Sequence, residues 1–228
     1  MGITENLKFS PEALADIYLG KITMWNDPRI ASSNKGIDLP DTKIQVIHRS
    51  DGSGTTYVWS DFLSKVNPEW SIRVGTGTRL KWPAGTGAEG NEGIVAKVQS
   101  TANSIGYVEL VFAVQHDLSF GAVRNSSGEY VRADLTSLTV AAKRATATAG
   151  LESLSSITNP QGKDAYPIAA FTWIVFPRET NDPAKKAALL TLLRWVLTSG
   201  QRECSALAYA PLPGEIAAQQ LMFLDTLK

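Results

Sequence analysis

The chain has 228 residues, of which 43% are hydrophobic, and its 22 basic residues equal its 22 acidic residues in number. This length allows one large or two small domains with a buried core. Because the net charge is zero, no overall field favours nucleic acid or an acidic membrane, and no apolar run has the length of a membrane span.

The first part of the chain predicts three helices and a strand. Ser10-Pro11-Glu12 is typical of a helix start, with Ser10 as the N-cap, and Gly20 is expected to end this helix. A second, short helix is expected to begin at Asn26-Asp27-Pro28. Residues 43–48 alternate between polar and apolar side chains as a strand does, and residues 57–66 show the apolar spacing of a helix.

Between this strand and this helix lies the segment Arg49-Ser50-Asp51-Gly52-Ser53-Gly54-Thr55-Thr56, the 49–56 turn. A strand-to-helix turn directs the first free backbone N–H groups of the helix, and the positive end of its dipole, at the loop. Gly52 and Gly54 leave the backbone open to a ligand, while Ser53 and Thr55 add hydroxyl donors. The turn therefore predicts a site for a small anion.

Two charged residues of the turn support this prediction. Arg49 supplies a planar guanidinium suited to a tetrahedral oxyanion, and Asp51 is close enough in sequence to brace it. The alternative is an ordinary turn, in which Thr55 caps the helix and Arg49 is solvated. The coincidence of an arginine, glycines, hydroxyls and a helix start favours the anion site.

A glycine-rich segment follows at residues 82–91, where Gly85, Gly87 and Gly90 match the G-x-G-x-x-G pattern of dinucleotide sites. We reject a dinucleotide site because no strand–helix unit precedes the pattern and Lys81-Trp82-Pro83 makes a poor strand end. The segment is instead expected to be a loop that lines a cleft near the 49–56 turn.

The rest of the chain continues to alternate between helices and strands, which predicts an α/β protein with parallel strands. Cys204 is interpreted as a core residue, and because it is the single cysteine it excludes an internal disulfide. In chain order we expect a buried strand at 104–108, a helix at about 110–114, a turn at 116–117, a hairpin at 121–131, a helix at 135–149, a linker at 159–164, a strand buried on both faces at 168–176, a helix at 184–199 and a last helix at 214–227.

Other chemistries find less support in the sequence. The glycines around Ser53 do not have the G-x-S-x-G spacing of a nucleophile elbow, and the turn lacks the Gly-Lys-Ser/Thr ending of a nucleotide P-loop. His48 and His116 show no metal-ligand spacing and are interpreted as structural. A phosphoryl-handling enzyme would need a general base or a metal near Ser53, and the sequence indicates neither. We therefore expect no catalysis, no metal and no cofactor.

Eight segments, in one order over nearly the whole chain, match a single family: 17–22, 49–55, 63–67, 74–77, 81–83, 90–94, 105–109 and 164–168. With these segments the chain resembles the periplasmic phosphate-binding protein of the bacterial phosphate ABC importer, the PstS family. The resemblance implies a two-lobed α/β fold of the periplasmic-binding-protein-like (type II) kind that closes on hydrogen phosphate. It also implies phosphate contacts from Arg49, Ser53, Gly54 and Thr55, with Asp51 positioning Arg49.

The resemblance further implies phosphate uptake, a periplasmic location and ABC permease subunits as partners. The first six residues show neither the basic start nor the apolar stretch of a signal peptide. Family members begin with a threonine-containing phosphate loop and a carboxylate that accepts the proton of hydrogen phosphate, and this chain is expected to start after both. The resemblance thus places residues 1–168 in the second lobe and residues 169–228 in the C-terminal part of the first lobe.

With part of the site missing, we expect weak phosphate binding that does not separate phosphate from sulfate. The alternative to a transport protein is an interaction module derived from such a lobe. It would pair with another chain, or with a second copy, through an apolar surface around Trp173, Trp195 and Phe223.

Overall fold

The computed structural model describes residues 7–149, 156–177 and 181–227, and helices and strands alternate through these ranges. The first six residues, where no signal-peptide pattern was found, lie outside the described residues. The strands are β1 (Lys8–Phe9), β2 (Gln45–Arg49), β3 (Thr86–Ala88), β4 (Ser104–Ile105), β5 (Ala122–Arg124) and β6 (Tyr130–Val131). The helices are α1 (Pro11–Tyr18), α2 (Pro28–Ala31), α3 (Gly54–Val66), α4 (Pro68–Arg73), α5 (Gly90–Ser100), α6 (Leu110–Gln115), α7 (Leu135–Ala149), α8 (Pro183–Leu197) and α9 (Gly214–Asp225), with 3-10 helices at Ser199–Glu203 and Ser205–Leu207.

The described strands form two sheets of three strands each. In one, β2 lies in the centre and pairs in parallel with β3 and β4, so that Ile47 is opposite Thr86 and Val46 is opposite Ile105. In the other, β1 pairs in parallel with β5, which pairs antiparallel with β6. The predicted hairpin and the predicted parallel strands are therefore confirmed, although the strand expected at 104–108 is only two residues long.

Several helices begin as their sequences predict. Ser10 caps α1 by accepting a hydrogen bond from the N–H of Ala13 at 3.2 Å, and Pro11 occupies the first turn. Asp27 and Asp182 cap α2 and α8 in the same way, each followed by a proline. At the C-terminal end of α1, Gly20 has a φ of 74°, a left-handed conformation that glycine adopts without strain.

The largest hydrophobic core lies where α1 and α3 pack against the end of the β2 sheet. Tyr107 stacks on Trp59 at 5.3 Å between ring centroids and lies 5.8 Å from Trp82, while Tyr18 contacts all three rings. Aromatic rings of this size contribute most of the area that a core buries. Through Tyr107, which hydrogen-bonds to Arg49 and Thr56, this cluster of rings holds the 49–56 turn in place.

The glycine-rich segment is not the continuous loop that was expected, because it contains β3. A Cβ on Gly85 would lie 2.6 Å from the carbonyl oxygen of Val46, and one on Gly87 would lie 2.9 Å from the Cβ of Ser50. Glycine thus permits the backbone to approach β2 closely enough to pair with it. Glycine, which suggested a loop in the sequence, is therefore the residue that makes this strand possible.

The expected strand at 168–176 is absent from the described residues, which correct this prediction. Residues 168–177 have neither helical nor strand structure, and the side chains of Ile174 and Val175 are 53% and 90% exposed. An apolar run is buried on both faces only when strands and helices surround it. No described strand pairs with this run, so its pattern could not produce a strand.

Two further expectations also need correction. The segment at 159–164 is not a free linker, because Asn125 on the β5–β6 hairpin donates hydrogen bonds to the carbonyls of Gly162, Lys163 and Ala165. Cys204 is half-buried between the two 3-10 helices rather than a core residue. The predicted helices at 135–149, 184–199 and 214–227 are confirmed, the last two with slightly shorter bounds.

The C-terminal helices leave apolar side chains exposed. α8 and α9 pack through a small cluster that includes Leu193 and Leu224. Trp195 and Phe223 on these helices are 50% and 53% exposed, and Trp173, which precedes them in the chain, is 43% exposed. The three residues expected to form an apolar surface are thus exposed, and their joining into one surface stays a prediction. None of the helices in the described ranges has the length and apolarity needed to cross a bilayer.

Candidate functional site

The 49–56 turn joins the carboxyl end of β2 to the first residue of α3. Ser53 is the N-cap, since its Oγ accepts a hydrogen bond from the N–H of Thr56 at 3.1 Å. Of the ordinary-turn alternative, the expected cap by Thr55 is therefore wrong. Within the described residues, the backbone N–H groups of Gly54 and Thr55 make no hydrogen bond. A Cβ on Gly54 would meet no atom within 4 Å, so a ligand can approach this backbone.

Arg49 precedes these donors by five and six positions in the same turn, and its side chain is held in one orientation. Its Nε and Nη2 donate to the two carboxylate oxygens of Asp51 at 2.7 and 2.6 Å, and its Nη1 donates to Oδ1 of Asn91 at 3.1 Å. The contact expected between Arg49 and Asp51 is thus present and is bidentate. A guanidinium has five N–H donors, and these three bonds leave two of them for a ligand.

The Arg49–Asp51 pair remains charged over a wide pH range. Hydrogen bonding to Arg49, together with a bond from the N–H of Gly90 at 3.3 Å, holds the pKa of the Asp51 carboxyl far below its usual range. The same hydrogen bond to Asp51 raises the pKa of Arg49. Because the pair is neutral as a whole, a bound anion would be stabilised by hydrogen bonds from directed donors rather than by a large net positive charge.

Tyr107 supports the turn from beneath. Its Oη accepts a hydrogen bond from the N–H of Arg49 at 3.2 Å and lies 2.6 Å from Oγ1 of Thr56. Burial raises the pKa of the Tyr107 hydroxyl, so it stays neutral and able to donate at physiological pH. This side chain therefore fixes the backbone at both ends of the turn.

A carboxylate also faces the turn. Oε1 of Glu109 accepts hydrogen bonds from Nδ2 of Asn91 at 3.0 Å and from the hydroxyl of Thr55 at 3.4 Å. Its Oε2 accepts a hydrogen bond of 2.6 Å from Tyr209, and this bond raises the pKa of Tyr209 to about 12. The hydroxyl of Thr55, expected to be a ligand donor, is thus directed at Glu109 in this structure.

The structure brings all five residues expected at the site, Arg49, Asp51, Ser53, Gly54 and Thr55, into one turn. Ser53 contributes less than expected, since it is only 4% exposed and its N–H donates to the carbonyl of Thr78. Only its hydroxyl proton is left for a ligand. Sequence reasoning gave no role to Asn91, Tyr107 and Glu109, although all three lie in segments that carried the family resemblance.

His48 packs against an aromatic ring beside the turn. Its ring stacks on Trp82 at 4.7 Å between centroids, and Nδ1 lies 3.1 Å from the carbonyl oxygen of Arg49. In the part of the chain that the structure describes, no three histidine, cysteine or acidic side chains come close enough to hold a metal ion. Trp82 and Leu80 line a cavity beside the turn, as expected of this segment.

A parallel β-strand leads through a glycine-containing turn into a helix, and a braced arginine precedes the helix start. This arrangement is typical of α/β ligand-binding folds, whose sites lie at the carboxyl ends of the strands. Residues 2–199 match the family described as the PBP superfamily domain, and the chain belongs to this superfamily. The periplasmic-binding-protein-like (type II) α/β fold expected from the sequence is thereby confirmed.

Individual relatives narrow the resemblance to phosphate-binding proteins. The chain is 44% identical over 213 residues to the phosphate-binding protein PstS of Xylella fastidiosa (strain Temecula1), covering 93% of this chain and 58% of that protein. It is 41% identical over 210 residues to the PstS of Pasteurella multocida, covering 92% and 61%. The resemblance to the PstS family is confirmed, and the chain spans about three fifths of the length of these relatives.

The fold is also found among solved structures. A high-affinity periplasmic phosphate-binding protein, solved with phosphate bound, superposes with a TM-score of 0.73 at 20% sequence identity. The superposition covers 96% of this chain and 65% of that one. At this identity the likeness shows the fold alone.

Proposed function

We propose that this chain binds hydrogen phosphate and acts as the solute-binding subunit of a phosphate ABC importer. Relatives with 44% and 41% identity are named as phosphate-binding proteins, which supports this proposal. The observation that carries it is the arrangement of free donors. Two unused N–H groups of Arg49 and the unused backbone N–H groups of Gly54 and Thr55 belong to one turn of eight residues.

Each residue then has a separate task. Arg49 donates charge-assisted hydrogen bonds to the phosphate oxygens, and Asp51 keeps its guanidinium in place. The N–H groups of Gly54 and Thr55 complete the contact from the helix start, where the dipole favours negative charge. The Ser53 hydroxyl adds its proton without giving up its role as N-cap.

The strength of binding follows from the number of these contacts. Three or four charge-assisted hydrogen bonds at about 1.5 to 3 kcal/mol each, less at least about 4 kcal/mol lost on association, leave roughly 0.5 to 8 kcal/mol. Micromolar binding needs about 8 kcal/mol. These residues alone therefore bind phosphate weakly and discriminate poorly against sulfate.

The proposal assigns residues 1–168 to the second lobe of the family fold and residues 169–228 to the C-terminal part of the first lobe. By analogy with the relatives, the location is periplasmic and the partners are ABC permease subunits. Catalysis has no support in the described residues, where Ser53 Oγ accepts a backbone N–H and no histidine hydrogen-bonds to it.

Calorimetric titration with phosphate and with sulfate tests the proposal, using the unmodified chain, Arg49→Ala and a matched control. The control is Arg29→Ala, because Arg29 makes the same bidentate pair with an aspartate two positions away, Asp27, at 2.9 and 2.8 Å. We expect phosphate binding that is lost in Arg49→Ala and kept in Arg29→Ala. Equal losses in both variants, or no binding to the unmodified chain, would contradict it.

A second candidate function is an interaction module, which the exposed apolar surface around Trp173, Trp195 and Phe223 favours. In this case a second copy of the chain, or another protein, covers that surface. Sedimentation equilibrium should then show association that rises with concentration and that Phe223→Glu abolishes. Ile72→Glu is the control, because Ile72 is 85% exposed on α4, away from this surface. A monomer at all concentrations would remove the case for self-association.

A further inference from the structure

A cavity of about 420 Å³ lies beside the 49–56 turn, and the proposed phosphate contacts do not account for it. Arg49, Asp51 and Arg79 are among the residues that line it. Small-molecule sites typically have volumes of about 300 to 1,000 Å³, whereas one tetrahedral oxyanion needs only the turn itself. The cavity therefore has room for a larger ligand that extends from the turn.

Arg79 lies against the turn without a partner of its own. A Cβ built on Gly52 would lie 3.3 Å from Nε, 3.7 Å from Cζ and 3.6 Å from Nη2 of Arg79, so the guanidinium lies close to this glycine. Arg79 makes no hydrogen bond and no ion pair with any described residue. Its planar set of donors is thus free at the edge of the cavity.

The charges around the cavity do not cancel. Two arginines, Arg49 and Arg79, face it, with Asp51 as the one acidic residue in its lining. Asp51 is already paired with Arg49 through two hydrogen bonds. The lining also includes the rings of His48 and Trp82, which stack with 14° between their planes and add no acidic group. The excess positive charge therefore resides on Arg79.

We infer that this cavity takes the second phosphoryl group of a condensed phosphate, of which pyrophosphate is the simplest. The first phosphoryl group occupies the 49–56 turn, and the free fork of Arg79 binds the second. In its first step this inference rests on the proposed function, since both use the same turn. An added cation matches an added anionic group, whereas the neutral substituent of a phosphate monoester would leave Arg79 unpaired.

The test compares the affinities for pyrophosphate and orthophosphate in the unmodified chain, Arg79→Ala and Lys81→Ala. Lys81 is the matched control, because it is exposed, carries the same charge two positions away and does not line the cavity. We expect pyrophosphate to bind at least about tenfold more tightly than orthophosphate, as one further charge-assisted contact implies. Arg79→Ala should remove this advantage and leave orthophosphate binding unchanged, and Lys81→Ala should retain it.

Equal affinity for pyrophosphate and orthophosphate in the unmodified chain would overturn the inference. So would an equal loss of pyrophosphate affinity in Arg79→Ala and Lys81→Ala. A loss of affinity in Arg79→Ala that is the same for both ligands would overturn it as well. Phenyl phosphate serves as a monoester probe, and a gain with this probe that persists in Arg79→Ala would also overturn it. If pyrophosphate binds through Arg79 while orthophosphate does not bind, the proposed function fails and the inference stands. Circular dichroism confirms that the variants, both at exposed side chains, remain folded.

Discussion

Tyr209 donates a hydrogen bond of 2.6 Å to Glu109, and Glu109 in turn accepts the hydroxyl of Thr55 in the 49–56 turn. A residue near the C-terminus is thus connected to the proposed phosphate site through one carboxylate. That carboxylate carries the same sign of charge as the proposed ligand. The site therefore contains an acceptor that competes with phosphate for a donor.

Glu109→Gln should strengthen phosphate binding. The substitution removes a negative charge next to Thr55 but keeps an amide oxygen that can accept from Asn91. Two unit charges about 4 Å apart interact by about 1 kcal/mol even in bulk water, so we expect a gain in affinity of about fivefold or more. Isothermal titration with phosphate measures this change.

Tyr209→Phe is the control for that prediction, because it removes the hydrogen bond to Glu109 and leaves the charge in place. It should give no gain in phosphate affinity. A loss of affinity in Glu109→Gln would show instead that the carboxylate is needed to hold Asn91 and, through it, Arg49.

Tyr107→Phe should lower the free energy of unfolding by about 1 to 3 kcal/mol. The substitution leaves the N–H of Arg49 and the buried hydroxyl of Thr56 without their partner. Urea denaturation measures the effect. Tyr57→Phe, at a side chain that is 45% exposed, should stay within about 0.5 kcal/mol of the unmodified chain. Equal effects at both positions would contradict the role given to Tyr107.

Gly85→Ala should destabilise the chain more than Gly36→Ala. Both glycines have positive φ, 104° and 89°, so an alanine at either position carries a similar backbone penalty. Only at Gly85 does the new Cβ collide with the backbone of β2, at 2.6 Å from the carbonyl oxygen of Val46, whereas at Gly36 it meets nothing within 4 Å. Overpacking typically costs about 1 to 3 kcal/mol, which is the expected difference between their unfolding free energies. The same free energy in both variants would mean that β3 is not held against β2 in solution.

Asp51→Asn should change how stability depends on pH. The pKa of Asp51 in the folded state lies below its ordinary value of 3.8. The contribution of Asp51 to the free energy of unfolding is therefore complete above pH 3.8 and is lost as the pH falls through the folded-state pKa. The difference in free energy of unfolding between the unmodified chain and Asp51→Asn should be constant near neutral pH and should become smaller below pH 3.8. A difference of the same size at every pH would contradict the role given to the ion pair with Arg49. Denaturation curves across this pH range decide between these outcomes.

The parts of the site that depend on neighbours in sequence could be predicted. Arg49 and Asp51 are two positions apart, and the helix predicted at 57–66 follows from the local pattern, although α3 begins earlier, at Gly54. Asn91 and Tyr107 lie 42 and 58 positions from Arg49, and only the pairing of β2 with β3 and β4 brings them to it. Periodicity describes one segment at a time and carries no information on which distant segments meet.

The same limit explains the wrong prediction at 168–176. The run is apolar enough for a buried strand, but burial needs partner strands, which the described residues do not provide. For Gly85 the error is of the opposite kind, because glycine commonly marks a turn yet here permits close pairing with β2. In both cases the surroundings decided between two structures that the local pattern allows.

The distance in sequence between Arg49 and its hydrogen-bond partners Asn91 and Tyr107 has a consequence for synthesis on the ribosome. At about 5 to 20 residues per second, the 58 positions between Arg49 and Tyr107 take roughly 3 to 12 s to be made. Of the side chains bonded to the guanidinium, Asp51 is translated almost together with it, and Asn91 follows 42 positions later. The nascent chain therefore carries its arginine next to an acidic neighbour from the start, and the remaining contacts form only when the second half of the parallel sheet has emerged.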